Sequence, residues 1–241
     1  MLVLAVDTTS ERGGVALFQD EETLAVAASE GAAGYSVTLF QMVDRVIEEA
    51  RARQAVLPRG LADIELYAVA NGPGSFTGIR VGLAAGQAWA KAFGRPAFGI
   101  SILEAMVGEA RPNTELAVPL LDARRNDLYH QVFRRAAVNV DGFVPEGEGE
   151  VSKPDALPQL IEESLRSGAS VTCVAREHDA LASSLRAVLS PVVRWQIVSG
   201  PLLAAIARLG LAGLRRGKTP SHTDLDACYI RRTDAELHLK G

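Results

Sequence analysis

Leu4-Ala5-Val6-Asp7-Thr8-Thr9-Ser10, with Gly14-Val15-Ala16-Leu17-Phe18 behind it, reads as a strand, a polar turn and a returning strand. Apolar residues fill both runs, and the residues between them carry turn chemistry. Leu120-Leu121-Asp122, a second polar turn and Leu128-Tyr129-His130-Gln131-Val132-Phe133 repeat the pattern, with Asp122 and Phe133 at the spacing of Asp7 and Phe18. Such self-similarity divides the chain into two related halves.

Beyond the first hairpin the patterning predicts a strand at 24–28, a helix at 35–52, a strand at 66–70, a helix at 75–93 and a strand at 96–100. Beyond the second it predicts a strand at 138–144, a helix at 155–167, a strand at 170–175, a helix at 179–189, a strand at 192–198 and a helix at 201–215. The second half reads βββαβαβα, and the first follows the same order as far as its last strand. This predicts an α/β protein with a duplicated ribonuclease-H-like fold, the two-lobed actin, Hsp70 and sugar-kinase (ASKHA) class. The expected lobes are 1–110 and 111–199, with a C-terminal segment, about 200–241, free to return to the first. The Pro- and Gly-rich run 145–158 is expected to be a loop inside the second lobe.

The run Asn71-Gly72-Pro73-Gly74-Ser75-Phe76-Thr77-Gly78-Ile79-Arg80 joins a strand to a helix through a glycine turn, with Ser75 or Thr77 as the cap. A helix N-terminus of this kind can cradle an anion. The spacing fits neither the phosphate loop, which needs Gly-Lys where Thr77-Gly78 stands, nor the dinucleotide fingerprint. Gly78, Gly82, Gly86 and Ala90 recur every four residues and so share one helix face. Each interior glycine costs about 1 kcal/mol relative to alanine, so close approach of another backbone must offset the stripe. That neighbour is either a partner helix or the protein's own sheet. In the helix at 35–52, Tyr35, Leu39, Phe40, Met42, Val43 and Val46 belong to an apolar arc wider than the roughly 100° stripe that one sheet contact needs. The excess suits a second neighbour, again either the adjacent helix or a partner.

The chain has 241 residues, 48% of them hydrophobic, enough for a sizeable core. It lacks an apolar run long enough for a membrane span and a basic leader before Leu2, so a soluble cytoplasmic protein with no membrane association is expected. Cys173 and Cys228 have no metal-site spacing. The formal charge of -4 opposes a stand-alone nucleic-acid binder. The basic pairs Arg124-Arg125, Arg134-Arg135 and Arg231-Arg232 are expected to be solvated. In a fold of this class ATP would lie between the lobes on the two hairpin turns, which makes Asp7, Thr8, Thr9 and Asp122 the cofactor-site candidates. The first turn carries no lysine and no glycine before Gly13, and a strand-ending aspartate commonly bonds its own turn.

Val6-Asp7-Thr8-Thr9, the whole Gly72–Arg80 run, Asp122-Ala123-Arg124 with Tyr129, and Tyr229-Ile230-Arg231 with Ala235-Glu236 resemble the bacterial TsaB (YeaZ) family over essentially the whole chain. The resemblance implies a role in making threonylcarbamoyladenosine at position 37 of tRNA, as a non-catalytic subunit. It implies a heterodimer with the catalytic subunit TsaD, recruitment of the ATPase TsaE, and a homodimer when TsaD is absent. tRNA would then be met only indirectly, through the complex, and no cofactor held firmly, ATP entering at most through that complex. It also implies that the helices at 35–52 and 75–93 form the partner surface, with Tyr35, Leu39, Met42, Val46, Phe76, Gly78, Ile79, Gly82 and Gly86 as its expected residues. The chain departs from the family at Tyr35-Ser36, where His-Ser is usual, and at Ala227-Cys228, where a proline is.

The catalytic relative holds its metal with two histidines four apart on a helix. Here His130, His178, His222 and His238 include no such pair, and no metal site is expected. Ser75 lacks a nucleophile elbow. An active sugar-kinase-like enzyme and a glycoprotease-like metallopeptidase are the alternatives, opposed respectively by the degenerate first turn and by the missing histidine pair.

Overall fold

The computed structural model describes residues 1–29, 34–53, 60–136, 142–166, 168–177, 179–189, 193–217 and 225–230. The strands are β1 (Leu2–Asp7), β2 (Gly14–Gln19), β3 (Glu22–Ala28), β4 (Leu66–Gly72), β5 (Ala97–Ser101), β6 (Leu116–Asp122), β7 (Leu128–Arg135), β8 (Phe143–Ser152), β9 (Val171–Arg176) and β10 (Arg194–Val198). The helices are α1 (Tyr35–Arg53), α2 (Phe76–Phe93), α3 (Ile102–Ala110), α4 (Leu157–Arg166), α5 (Ala180–Leu189) and α6 (Leu203–Arg215). Two compact units result: Met1–Glu109 with Gly200–Ala227, and Ala110–Ser199 with the residues from Cys228 onward.

Each unit holds one five-stranded sheet, ordered β3-β2-β1-β4-β5 in the first and β8-β7-β6-β9-β10 in the second. The first three strands of each half pair antiparallel, and the last two join parallel to the strand that opens the half. The two orders are identical strand for strand, which establishes the duplicated ribonuclease-H-like fold of the ASKHA class.

In the first unit Leu4, Val6, Leu17 and Val69 form one core with α1 and α2. The opposite face of β4 carries α6: a Cβ on Gly210 would stand 2.8 Å from that of Ala68. Helices therefore cover both faces, which is why β1 and β4 read as uninterrupted apolar runs rather than alternating ones. The second core joins Leu116, Val118, Leu120 and Cys173 to Leu157 and Ile161 of α4 and to Leu185 of α5.

The last helix of the pattern, α6, lies in the C-terminal segment expected to be free to return to the first lobe, and it packs on β1, β4 and β5 of the first sheet. One expectation changes. The run read as a loop from Pro145 to Pro158 contains β8, which extends to Ser152 and pairs with β7. β8 is an edge strand, where Pro145 and two glycines are tolerated because one row of backbone groups needs no partner. Of the strand expected at 138–144, residues 138–141 lie outside the described residues, and Phe143 and Val144 open β8. Helix α3 follows β5 without a turn signal, and its apolar residues Ile102, Leu103, Ala105 and Met106 are all buried. No helix among the described residues is long and apolar enough to cross a membrane.

Candidate functional site

The first hairpin turn is bonded to its own unit at almost every polar atom. Asp7 is fully buried, and its Oδ1 accepts the Thr9 N–H at 2.9 Å and the Thr9 hydroxyl at 2.7 Å. Asp7 Oδ2 is buried with no hydrogen-bond partner. The Thr8 hydroxyl donates to the Gly78 carbonyl at 2.7 Å, and the Thr9 carbonyl accepts the Ser75 N–H at 2.7 Å. Tyr35, at the start of α1, donates its hydroxyl to the Ser10 carbonyl at 2.7 Å and accepts the Gly13 N–H at 3.0 Å. The turn is thus a strut tying the N-terminus of α1 to that of α2.

The Gly72-Pro73-Gly74 turn brings α2 against this strut. A Cβ on Gly74 would fall 2.4 Å from the Thr9 carbonyl oxygen, and one on Gly78 only 1.9 Å from that of Thr8. Ser75 caps α2, its Oγ accepting the Gly78 N–H at 3.3 Å, and Gly94 closes the other end in the left-handed conformation. A phosphate at this helix N-terminus would have to displace the Thr9 carbonyl from Ser75. Asp7, Thr8 and Thr9 therefore do not fit a nucleotide-phosphate cradle, and what they do hold is the α2 terminus.

The glycine stripe is explained within the unit. A Cβ on Gly82 would meet Thr8 Oγ1 at 2.4 Å, and one on Gly86 a Val69 methyl at 2.7 Å. Of the nine residues expected at a partner surface, Leu39, Met42, Val46 and Ile79 are core side chains, and Gly78, Gly82 and Gly86 face Thr8 of the first turn and Val69 of β4. Their apolar character serves the core of their own unit. Tyr35 is half-buried in the strut and Phe76 is 42% exposed. The outward side of the helix pair is instead Val37 at 65% exposed, Phe40 at 55% and Phe76. Phe40 stands edge-on to Trp89 of α2 at 6.0 Å, and the Arg80 guanidinium lies 3.8 Å over the Phe76 ring. Phe40 falls within the sequence arc but beside its buried stripe, and an unpaired apolar position of that kind is the available signal for Val37 as well.

The hydroxyl of Tyr35 supplies a local test. Tyr35→Phe should cost about 1–2 kcal/mol and accelerate amide exchange at Gly13, because a partly buried donor and acceptor lose their partner. Unchanged exchange at Gly13 would remove the strut from the account.

In the second unit Asp122 Oδ1 accepts the Arg124 N–H at 2.7 Å, so this carboxylate builds its own turn. The Asp122 N–H is held in turn by Asp179 Oδ2 at 3.0 Å. Arg124, Arg125 and Asn126 have φ of 64°, 56° and 58°. For residues with a Cβ such conformations cost roughly 1–3 kcal/mol each, least for asparagine, and persist only where surrounding bonds over-determine them. Both arginines are exposed, as expected of solvated charge.

Among the described residues no group of three or more His, Cys, Asp or Glu could hold a metal ion. His178, His222 and His238 lie outside the described residues. His130 is buried, its Nε2 2.8 Å from Ser152 Oγ. Burial pushes its pKa below the ordinary value, with Glu150 opposing weakly. Burial also raises the Cys173 thiol to about 12, and raises Cys228 with Glu148 adding to the effect, so neither is a ready thiolate nucleophile.

The His130 shift has a definite sign. The folded protein holds this imidazole neutral, so its contribution is fully present above the unfolded value of about 6.5 and is lost as pH falls from there toward the folded pKa. His130→Gln should flatten the acid side of the melting-temperature profile relative to the parent below about pH 6.5. Parallel profiles for the two proteins would show that His130 takes its proton freely in the fold.

These observations define a class: a duplicated ribonuclease-H-like protein whose first hairpin turn is bonded to the N-terminus of its own α2, with aromatic residues exposed on α1 and α2. The family model described as TsaD, tRNA N6-adenosine threonylcarbamoyltransferase, matches residues 29–182. The tRNA threonylcarbamoyladenosine biosynthesis protein TsaB of Bacillus subtilis (strain 168) is 27% identical over 146 residues, 61% of each chain. That of Escherichia coli (strain K12) is 28% identical over 176 residues, 71% of this chain and 70% of that one. The Haemophilus influenzae protein is 33% identical over 58% of this chain and 57% of its own. The matches thus span about three-fifths to two-thirds of these relatives' lengths. The structure of YeaZ from Pseudomonas aeruginosa superposes with a TM-score of 0.69 over 95% of this chain and 99% of that one, at 20% identity, a likeness of fold. The chain belongs to the threonylcarbamoyltransferase family that the model describes, and it is similar to the TsaB proteins of threonylcarbamoyladenosine biosynthesis.

Proposed function

We propose that this chain takes part in the biosynthesis of threonylcarbamoyladenosine in tRNA as a non-catalytic, partner-binding subunit. The observation that carries the reading is the bonding of the first hairpin: the Thr8 hydroxyl, the Thr9 N–H and the Ser75 N–H, donors that could receive a phosphate, are taken by Gly78, Asp7 and Thr9. Family membership supports the process, since the family model matches residues 29–182 and relatives named for that biosynthesis match 61% and 71% of the chain. The catalytic chemistry then belongs to a TsaD subunit, with TsaE recruited to the pair, and tRNA is delivered to the complex in the cytoplasm. The Val37, Phe40 and Phe76 face is the docking surface, for TsaD when it is present and for a second copy of this chain when it is not. Asp7 acts through turn stability, and ATP enters only with the partners.

The test is co-purification with the TsaD and TsaE of the same organism, followed by a tRNA modification assay and an ATPase assay on the chain alone. Modification that requires this chain, with no ATP turnover by it in isolation, is the expected outcome. Steady turnover by the pure chain, abolished by Asp7→Ala, would overturn the reading in favour of an ATP-dependent enzyme.

A further inference from the structure

Beyond α6 the chain returns to the flank of α2. Leu225 is buried in the core that α1 and α2 share with the first sheet, and Ala227 packs against the same core. A Cβ on Gly86 would lie 3.5 Å from Leu225 Cδ1, so the bare helix surface at Gly86 forms part of the seat that Leu225 fills. Two side-chain amides hold the main chain there: Gln87 Nε2 donates to the Leu225 carbonyl at 3.3 Å, and Asn71 Nδ2 to the Asp226 carbonyl at 3.2 Å. Residues 225–227 join no sheet ladder, and among the described residues those two bonds are the strap's only hydrogen bonds. The other end of one of the amides, Asn71 Oδ1, is buried with no partner, which weakens the seated arrangement. A contact that rests on one leucine and two bonds opens more readily than the ladders around it.

The two amides also tie the strap to the elements that carry the exposed aromatics. Asn71 stands directly before the Gly72-Pro73-Gly74 turn that leads into Phe76, and Gln87 lies on α2 close to Trp89, whose ring meets that of Phe40 at 6.0 Å. We infer that the strap Leu225–Ala227 is a releasable latch on α2, and that seating it sets the placement of α2 on which the Val37, Phe40 and Phe76 face depends. Gln87 and Asn71 are its positioning residues. The latch rests on the contacts above, and its link to docking rests on the function proposed for that face.

The experiment measures amide exchange and sedimentation on the full chain. It compares the parent with Leu225→Asp, Gln87→Ala and Arg166→Gln, an exposed control in the second unit. Leu225→Asp places a charge in an apolar seat and is expected to unseat the strap, speeding exchange at the α2 amides 84–90 at least about thirtyfold while α1 stays at the parent rate. Gln87→Ala removes one bond and should speed the same amides about fivefold. Self-association of Leu225→Asp should fall about tenfold, as the docking-competent arrangement becomes the minor one. Should Leu225→Asp fail to fold, Gln87→Ala, which leaves the apolar seat intact, carries the exchange test alone. Exchange that rises equally in α1 and α2 would overturn the latch, because the strap would then be ordinary core whose loss weakens the whole unit. Exchange at α2 no faster than in the control would overturn it as well. Faster α2 exchange with association like that of the parent would overturn the link to docking. A parent chain that does not self-associate would count instead against the docking face, and the exchange comparison would still decide the latch.

Discussion

Gly78→Ala is expected to cost about 2–4 kcal/mol of folding stability, Gly82→Ala less, and Gly86→Ala close to nothing. The order follows from the atom each new Cβ would meet. At Gly78 it is the Thr8 backbone carbonyl at 1.9 Å, which cannot yield without releasing the Thr8 hydroxyl from the Gly78 carbonyl. At Gly82 it is the Thr8 hydroxyl at 2.4 Å, and at Gly86 a Val69 methyl at 2.7 Å, which can rotate or shift. Working against these clashes, alanine in a helix interior gains about 1 kcal/mol over glycine, enough to offset the Gly86 contact but not the Gly78 one. Urea midpoints at constant m-value measure all three. Equal and small changes across the series would mean that α2 does not rest on the first hairpin, and the account of the closed phosphate turn would fall with it.

The same stripe shows where sequence reasoning stopped. The four-residue spacing of Gly78, Gly82 and Gly86 demanded a close neighbour, and that demand is met. Spacing cannot distinguish a partner helix from the chain's own β1 and β4, because both present a surface at the same distance. The ambiguity carried over to Leu39, Met42 and Val46, whose apolar character served equally well for a core and for an interface. The hairpin repeat fared better. The Asp7-to-Phe18 spacing recurring from Asp122 to Phe133 rests on apolar runs and the turn between them, which are local, and the two strand orders agree with it. What local signals missed is decided by long-range packing. α6 leaves β10 and settles on the first sheet, and β8 pairs through Pro145 because only its outer row of backbone groups is unpaired. The left-handed turn at Arg124 carries no glycine to announce it.

Phe40→Arg should abolish partner docking while leaving the fold standing. Phe40 is 55% exposed and loses only its edge contact with Trp89, about 0.5–1.5 kcal/mol, so a small fall in melting temperature is expected. In a docked interface the same side chain would be an aromatic anchor, and replacing such an anchor with an uncompensated charge costs at least about 2 kcal/mol, roughly thirtyfold in association. Phe76→Arg should act in the same direction and place a second cation beside Arg80, which now lies over the ring. Leu39→Arg is the contrast: that side chain is fully buried among the α1 and β-sheet core residues, and a charge there should prevent folding altogether. Sedimentation reads self-association, capture reads TsaD binding, and thermal unfolding reads the fold. If Phe40→Arg and Phe76→Arg both fold and still associate as the parent does, the docking face lies elsewhere on the molecule, and the exposed aromatics of α1 and α2 need a different explanation.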